Sequence, residues 1–437
     1  VDPELAPKAA ARAAWLMAEL GGGTVDPAIG DAYPGRRPPQ VIEFHPREAD
    51  RLLGIEIPRE AMGRILGALE FGVQPLADGS LRVTVPPHRP DVQRPVDLVE
   101  EVSRIWGYDR FPSETLRDEL PPLHINTRLE GAERVRDLLV GCGLDEVITY
   151  SLTNPEDERI CAGAGFDPAG YLALRNPLSA ERTHLRQHLL PSLLRTTREN
   201  LRFLERVAIF ELGSVYLPQP GEVLPAEPRR LGIAMTGPRE ARSWLAGQDR
   251  TPLGFFDLKG VVEALLEGLH LPAEFEPGEH PALHPGRCAQ VRVGDQVVGA
   301  FGELHPLARE AFGLPAQPVC ALEFDLDALL AGWGAPRTVT PISVHPPVYE
   351  DLAFIVREDV PAAAVARLIA QTGGPLVRAV ALFDVYRGEQ IGAGHKSLAY
   401  RLTYQADDRT LNDKDVAAVR AKIARRLERE LGASLRG

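Results

Sequence analysis

A chain of 437 residues carries 61 Asp and Glu against 49 Lys and Arg, a formal net charge of −12, and its length corresponds to about two to four domains. With 44% hydrophobic and 25% charged residues, it can bury real cores, which excludes disorder for most of its length. No apolar run approaches the ~18 residues that a membrane span needs, and no charged-then-apolar signal segment opens the chain.

Residues 5–20 predict a helix with Ala14, Leu16, Met17 and Leu20 apolar, stopped at Gly21-Gly22-Gly23. Val1 is not an initiating methionine, so a fragment or a processed chain is expected, and residues 1–38 read as the tail of an earlier domain plus the linker DAYPGRRPPQ (31–40). A unit follows at 39–113, with a helix after Pro58 (Met62, Ile65, Leu66, Leu69) and a strand Leu81–Val85 closed by Pro86-Pro87. A third unit, 114–335, opens with a helix from Asn126 that buries Ala132, Val135, Leu139 and Cys142. Strand-like runs follow at 146–152, 207–216, 230–235, 289–293 and 319–326, with helices near 185–206 and 255–269. This pattern predicts a largely antiparallel sheet in an α+β domain. Beyond GWGAPRTVTP (332–341), residues 342–437 read β-α-β-β-α with ASLR as a final strand, the order of a ferredoxin-like fold. The fold class expected is therefore an α+β multidomain chain.

Four cysteines (Cys142, Cys161, Cys288, Cys320) lie far apart with no C-x-x-C pair. That excludes a disulfide scaffold and a zinc ribbon and fits a reducing cytoplasm. His280, His284 and His305 are each near or before proline and show no H-E-x-x-H spacing, so turns are expected there rather than a metal. No nucleophile elbow, P-loop or G-x-G-x-x-G cradle is present.

The sharpest local signal is HRPDVQRPVDLVEEVSRIWGYDRF (88–111). On a helix begun at Pro95, Asp97, Glu100 and Glu101 fall within ~100° of arc, with Asp91 just before them. An all-oxygen cluster of this kind suits a hard cation, Mg²⁺ before Ca²⁺. An acidic first turn that complements the helix dipole fits the same residues. Residues 342–437 carry a net charge of +2 and the remainder −14, so polyanion binding is sought in the last unit first. Its terminal helix aligns Lys422, Arg425, Arg426 and Arg429 at i, i+3, i+4 and i+7, beside a buried stripe of Val416, Val419, Ile423 and Leu427. A phosphate track and a solubilising face, interspersed with Asp413, Asp415, Glu428 and Glu430, both fit that row.

These residues, in this order, resemble the β chain of bacterial phenylalanyl-tRNA synthetase. RPDVQRPVDLVEEVSRIWGYDRF resembles the signature of that family's B5 domain. THLRQHLLPSLLRTTRENLRF, VAIFELGSVY, FFDLKG, LHPGR and GELHP resemble its class II synthetase-like core. YEDLAFIV, FDVYRG, GHKSLAYRLTYQ and DRTLND resemble its ferredoxin-fold anticodon-binding domain, and the opening helix resembles the end of its B3/B4 editing region. The likeness runs along essentially the whole chain.

The resemblance implies one Mg²⁺ per chain on Asp91, Asp97, Glu100 and Glu101, and no catalytic residue here. Where a class II site needs phosphate-binding arginines, Ile209–Gly213 and Leu322–Leu326 have none, and those forks neutralise polyphosphate during adenylate formation. An α subunit is therefore expected to use the ATP, within a cytoplasmic (αβ)₂ tetramer that charges tRNA(Phe) with phenylalanine. The family's opening tRNA-binding fold and almost all of its editing domain have no counterpart in these residues, so proofreading is not assigned to them. For anticodon contacts, Tyr386, Tyr400 and Tyr404 are candidates for stacking, with at least one expected in the core by strand alternation. Arg387, Lys396, Arg401 and Arg409 are candidates for phosphate or base contacts. A stand-alone RNA-binding or scaffolding protein derived from such a subunit is the competing expectation.

Overall fold

Helix α1 (Leu5–Gly21) stops where Gly22 adopts φ 66°, the left-handed conformation that a residue without Cβ enters freely. The computed structural model describes residues 2–436 apart from 37, 116, 123, 124, 241, 245, 246, 337 and 340; positions 37, 337 and 340 of the two expected linkers lie outside the described residues. The chain forms two units, Val1–Leu123 and His124–Gly437.

In the first unit, α1 buries none of its residues. Strand β1 (Val41–Phe44) leads to α2 (Pro46–Leu53) and α3 (Arg59–Ala68), then β2 (Gly72–Pro75), β3 (Leu81–Thr84) and α4 (Pro95–Trp106). The strands make an antiparallel sheet in the order β1-β3-β2. Alternate residues Ile42, Phe44, Leu81 and Val83 point inward against Met62, Leu66, Leu98 and Val102 of the helices. Pro95 opens α4 at the position where a missing N–H costs nothing.

The second unit begins with α5 (Thr127–Gly141), β4 (Asp145–Glu146), β5 (Leu152–Thr153), α6 (Pro155–Ala162), β6 (His184–Leu185) and α7 (Leu190–Asn200). It continues through β7 (Val207–Ser214), β8 (Arg229–Thr236), α8 (Phe255–Leu269), β9 (Ala273–Pro277), β10 (Leu283–Val293), β11 (Gln296–Leu304), α9 (Pro306–Ala311), β12 (Val319–Asp325) and α10 (Leu326–Leu330). Seven strands lie in the order β4-β7-β8-β12-β11-β10-β9, antiparallel except for the β4–β7 pair. Ala208 and Phe210 of β7 pack toward α5 and α8, whereas Val207 and Ile209 pack toward α7. Burial on both faces explains why this strand reads as an unbroken apolar run.

The expected strand at 146–152 is a correction. Glu146, with Asp145, pairs with Ile209–Phe210 at one end and Leu152 pairs with Leu185 in a separate two-stranded sheet at the other; between them Thr149 turns its hydroxyl to Glu211, 2.6 Å away, and Ile148 and Tyr150 stand exposed. The helix expected at 185–206 is shorter, Leu190–Asn200, and Cys142 caps α5 half-buried instead of joining the core.

The same unit ends in β13 (Val348–Arg357), α11 (Ala362–Gly373), β14 (Val377–Tyr386), β15 (His395–Tyr404), α12 (Asp413–Leu431) and β16 (Ser434–Leu435). These strands form a sheet in the order β14-β15-β13-β16, the β-α-β-β-α-β arrangement read from the sequence. Leu352, Phe354 and Val356 join Leu398, Tyr400, Leu402 and Tyr404 on the face covered by α11 and α12. The fold is α+β with antiparallel sheets. No helix among the described residues is long and apolar enough to cross a membrane.

Candidate functional site

The acidic cluster of the first unit is organised by arginine. Arg89 donates from Nε to Asp91 Oδ1 at 3.0 Å and from Nη2 to Asp91 Oδ2 at 2.6 Å. The same guanidinium reaches Glu101 at 2.9 and 3.0 Å, and Arg104 adds a third bond to Glu101 at 2.6 Å. Glu101 is buried. Hydrogen bonds from Arg89 hold the carboxyls of Asp91 and Glu101 below the usual carboxylate range. Asp97 accepts the backbone N–H groups of Gln93 (2.9 Å) and Arg94 (2.8 Å), which lowers its pKa in turn; it closes the N-terminus of α4. Glu100 is exposed.

These four carboxylates, Asp91, Asp97, Glu100 and Glu101, do not stand as a cation cage. Among the described residues no group of three or more His, Cys, Asp or Glu is disposed to hold a metal ion. A guanidinium sits between two members of the expected ligand set, and a third member caps a helix. His280, His284 and His305 behave as turn residues, each accepting a backbone N–H at Nδ1.

In the second unit, the strand segments expected to lack phosphate-binding arginines are β7 and β12. An arginine does reach β7 from outside it. Arg186 is buried and donates Nη1 to Glu211 Oε1 at 2.9 Å and to Thr149 Oγ1 at 2.8 Å, and Nε to the Ser214 carbonyl at 3.0 Å. Those three bonds commit Nε and Nη1 of the buried guanidinium to protein acceptors. On β12, Glu323 accepts the Leu189 and Leu190 N–H groups at the start of α7 (2.9 and 3.2 Å) and contacts His188 Nδ1 at 3.2 Å. Burial pushes Glu323 up, but the His188 ring and the two amides outweigh it and the net direction is down. Burial pulls His188 down, and Glu323 more than offsets this, so the ring is raised. Nearby Glu158 is fully buried, and desolvation pushes it up to about 7; its Oε1 has no hydrogen-bond partner.

The sheet β14-β15-β13-β16 leaves one face open. Tyr400 and Tyr404, expected as stacking candidates, are both core residues: they lie fully buried beneath the helices, with hydroxyls bonded to the Ala362 carbonyl (2.8 Å) and Glu350 (3.1 Å). Strand alternation turns Arg401 and its cross-strand partner Asp351 to the opposite, open face, where they pair at 2.8 Å. The Arg401 guanidinium stands 5.4 Å from the Phe383 ring, and that of Arg436 stands 5.2 Å from Tyr386. Of the stacking candidates, Tyr386 alone is placed here. Phe383 and the exposed Tyr349 were missed by the sequence reading; two-residue steps from Leu352, the partner of buried Tyr400, land on Glu350 and Val348 and leave Tyr349 on the opposite face.

The basic candidates are paired, Arg387 and Arg409 at exposed positions and Lys396 half-buried. Arg387 binds Glu358 at 2.7 Å, Lys396 donates to the Glu358 carbonyl at 2.7 Å, and Arg409 meets Asp408 at 3.4 Å. The exposed carboxylate pairs of Arg387 and Arg409 contribute only about 0–1 kcal/mol each.

Three segments match known families. Residues 42–108 match the tRNA synthetase B5 domain, 112–326 the phenylalanyl tRNA synthetase beta chain CLM domain, and 343–436 the ferredoxin-fold anticodon binding domain. Over its whole length the chain is 41% identical to the phenylalanine–tRNA ligase beta subunit of Moorella thermoacetica and 38% identical to that of Geobacter sulfurreducens. The chain belongs to the phenylalanyl-tRNA synthetase β-chain family. It spans 54% of the length of each of those two relatives. Within this β-chain family member, the arginine-bound acidic cluster lies in the B5 match, Arg186 and Glu323 in the CLM match, and the open sheet face in the anticodon-binding match.

Proposed function

We propose that the chain forms the C-terminal part of the β subunit of a phenylalanine–tRNA ligase, an ATP-dependent complex of the cytoplasm that charges tRNA(Phe). In this reading an α subunit carries adenylation within an (αβ)₂ assembly, and the present chain supplies assembly surfaces and anticodon-arm binding. The observation that carries the reading is the open face of the last sheet. Phe383 and Tyr386 offer rings beside Arg401 and Arg436, and Tyr349 adds an exposed ring, a surface on which unpaired loop bases stack and guanidinium groups meet phosphate.

The buried engagement of Arg186 supports a core that does not itself activate an amino acid. The family's Mg²⁺, if carried on Asp91, Asp97, Glu100 and Glu101, has to displace Arg89 from Asp91 and Glu101.

The test is binding and exchange with the purified chain. A tRNA(Phe) anticodon-arm hairpin should bind it, phenylalanine-dependent ATP–pyrophosphate exchange should be absent, and the α subunit should co-purify with it. Exchange by the isolated chain would overturn the division of labour. Failure to bind either the hairpin or the α subunit would favour a scaffold of another kind.

A further inference from the structure

The helix-covered side of the last domain holds a feature that the open sheet face does not explain. A cavity of about 360 Å³ is lined by Gln371 and Thr372 of α11 and by Lys422, Arg425, Arg426 and Arg429 of α12. Arg426 is fixed in it: Nη1 donates to Thr372 Oγ1 at 3.2 Å, Nη2 to Gln371 Oε1 at 3.3 Å, and Nε to Glu430 at 2.9 Å. Arg429 shares Glu430, also at 2.9 Å. Lys422 and Arg425 are exposed and have no acidic partner among the described residues. One carboxylate, Glu430, thus pairs with two of the four cations lining the cavity.

This concentration is not general for the domain, where Arg387, Arg401 and Arg420 each pair with an acid. Nor does the helix dipole account for it. Only Arg429 lies in the last turn of α12, and the dipole's effect fades beyond that turn. Charges that merely solubilise a helix fan out into water. These converge on a concavity at spacings where like charges disfavour the helix. The row from 422 to 429 runs roughly 10 Å along the axis, longer than one phosphate requires. No apolar or aromatic residue lines the cavity, so a lipid tail or a nucleotide base finds no surface there.

We propose that this cavity grips backbone phosphates of RNA on the helix side of the domain, with bases read on the open sheet face. The inference rests on the reading that this domain binds RNA, and it adds a second, sequence-independent contact region. Phosphate contacts position a nucleic acid without reading it.

The experiment compares the full chain with K422Q/R425Q and with F383A, using a tRNA(Phe) anticodon-arm hairpin and a loop-scrambled hairpin across a salt series. K422Q/R425Q should weaken both hairpins by the same factor, about tenfold at low salt, and lower the log-affinity versus log-salt slope by ~1.4 to 1.8 for two lost contacts. F383A should weaken binding with the slope unchanged. The charge-retaining K422R/R425K should restore the slope, and an unchanged melting temperature checks the fold of each variant. An unchanged slope in K422Q/R425Q overturns the cavity assignment while leaving RNA binding by the domain intact. Tripolyphosphate binding that is lost in K422Q/R425Q without any change toward RNA overturns it in favour of a small-anion site. Absence of RNA binding by the parent chain overturns the domain reading itself, and the cavity assignment with it.

Discussion

Arg186 and Glu211 face each other at 2.9 Å, each side chain only 3% exposed. Removing one partner of a buried pair strands the other charge, at a cost of about 3–5 kcal/mol. Arg186→Met should therefore destabilise the chain by that order in urea unfolding, whereas Arg186→Met with Glu211→Leu should recover much of the loss. A single-variant cost below ~1 kcal/mol would show that water reaches Glu211 and that the pair is not closed.

At the B5 cluster, Arg89→Met should cost about 2–3 kcal/mol, less than a fully closed pair because Arg89 keeps some exposure. Millimolar Mg²⁺ should then raise the melting temperature of the variant and leave the parent chain unmoved, since only the variant frees Asp91 and leaves Glu101 bonded to Arg104 alone. Melts with Mg²⁺ against EDTA decide this. Equal stabilisation of both proteins would mean that the ion binds without displacing Arg89.

Glu158 sets a pH dependence whose sign is unusual for a carboxylate. Its folded pKa, about 7, lies above the ordinary 4.5, so folding favours the protonated form. Its contribution is present below pH ~4.5 and is lost as pH rises through 7, by roughly 3 kcal/mol at pH 8. His188, also raised, adds a loss of the same sign as pH climbs through its own folded value. Glu158→Gln should flatten the stability curve between pH 5 and 8 and leave the His188 part. A curve of unchanged steepness would assign the dependence elsewhere.

On the open sheet face, Phe383→Ala should weaken hairpin binding by about 1–3 kcal/mol, the range for one base stacked on an aromatic ring. Tyr400→Phe should instead cost about 1 kcal/mol of stability through its lost bond to the Ala362 carbonyl, with hairpin affinity intact. Reduced affinity in Tyr400→Phe with no loss of stability would contradict the burial of that ring.

The element order of the last domain was legible because its strands alternate and its helices carry 3.6-residue stripes. Other features lay beneath that pattern. Strand β11 was not foreseen, since Gly299 (φ 153°) and Gly302 interrupt its β-forming run. A Cβ at those glycines would press on the Glu323 and Arg287 carbonyls at 2.2 and 2.3 Å. Tyr400 and Tyr404 share a face by alternation, but only the position of α11 and α12 says that this face is covered. Phe383 sits at a register irregularity between Leu382 and Asp384, which breaks simple counting. The spacing of Asp91, Asp97, Glu100 and Glu101 was visible, whereas the reach of Arg89 to Glu101, twelve residues on, follows only from how the turn before α4 folds back.

Glu323 has a consequence for any effort to build a nucleotide site into the core. The first amides of α7 form the kind of positive terminus where a phosphate settles readily, and the protein's own carboxylate already accepts from them. Grafting arginines onto β7 and β12 would therefore install new cations opposite a resident anion, and they would bind it rather than a nucleotide. A designer would first have to remove Glu323. That loss would uncover the amides and leave His188 without its partner before any nucleotide could compensate. A nucleotide site at this helix terminus is therefore reached only by way of a less stable protein.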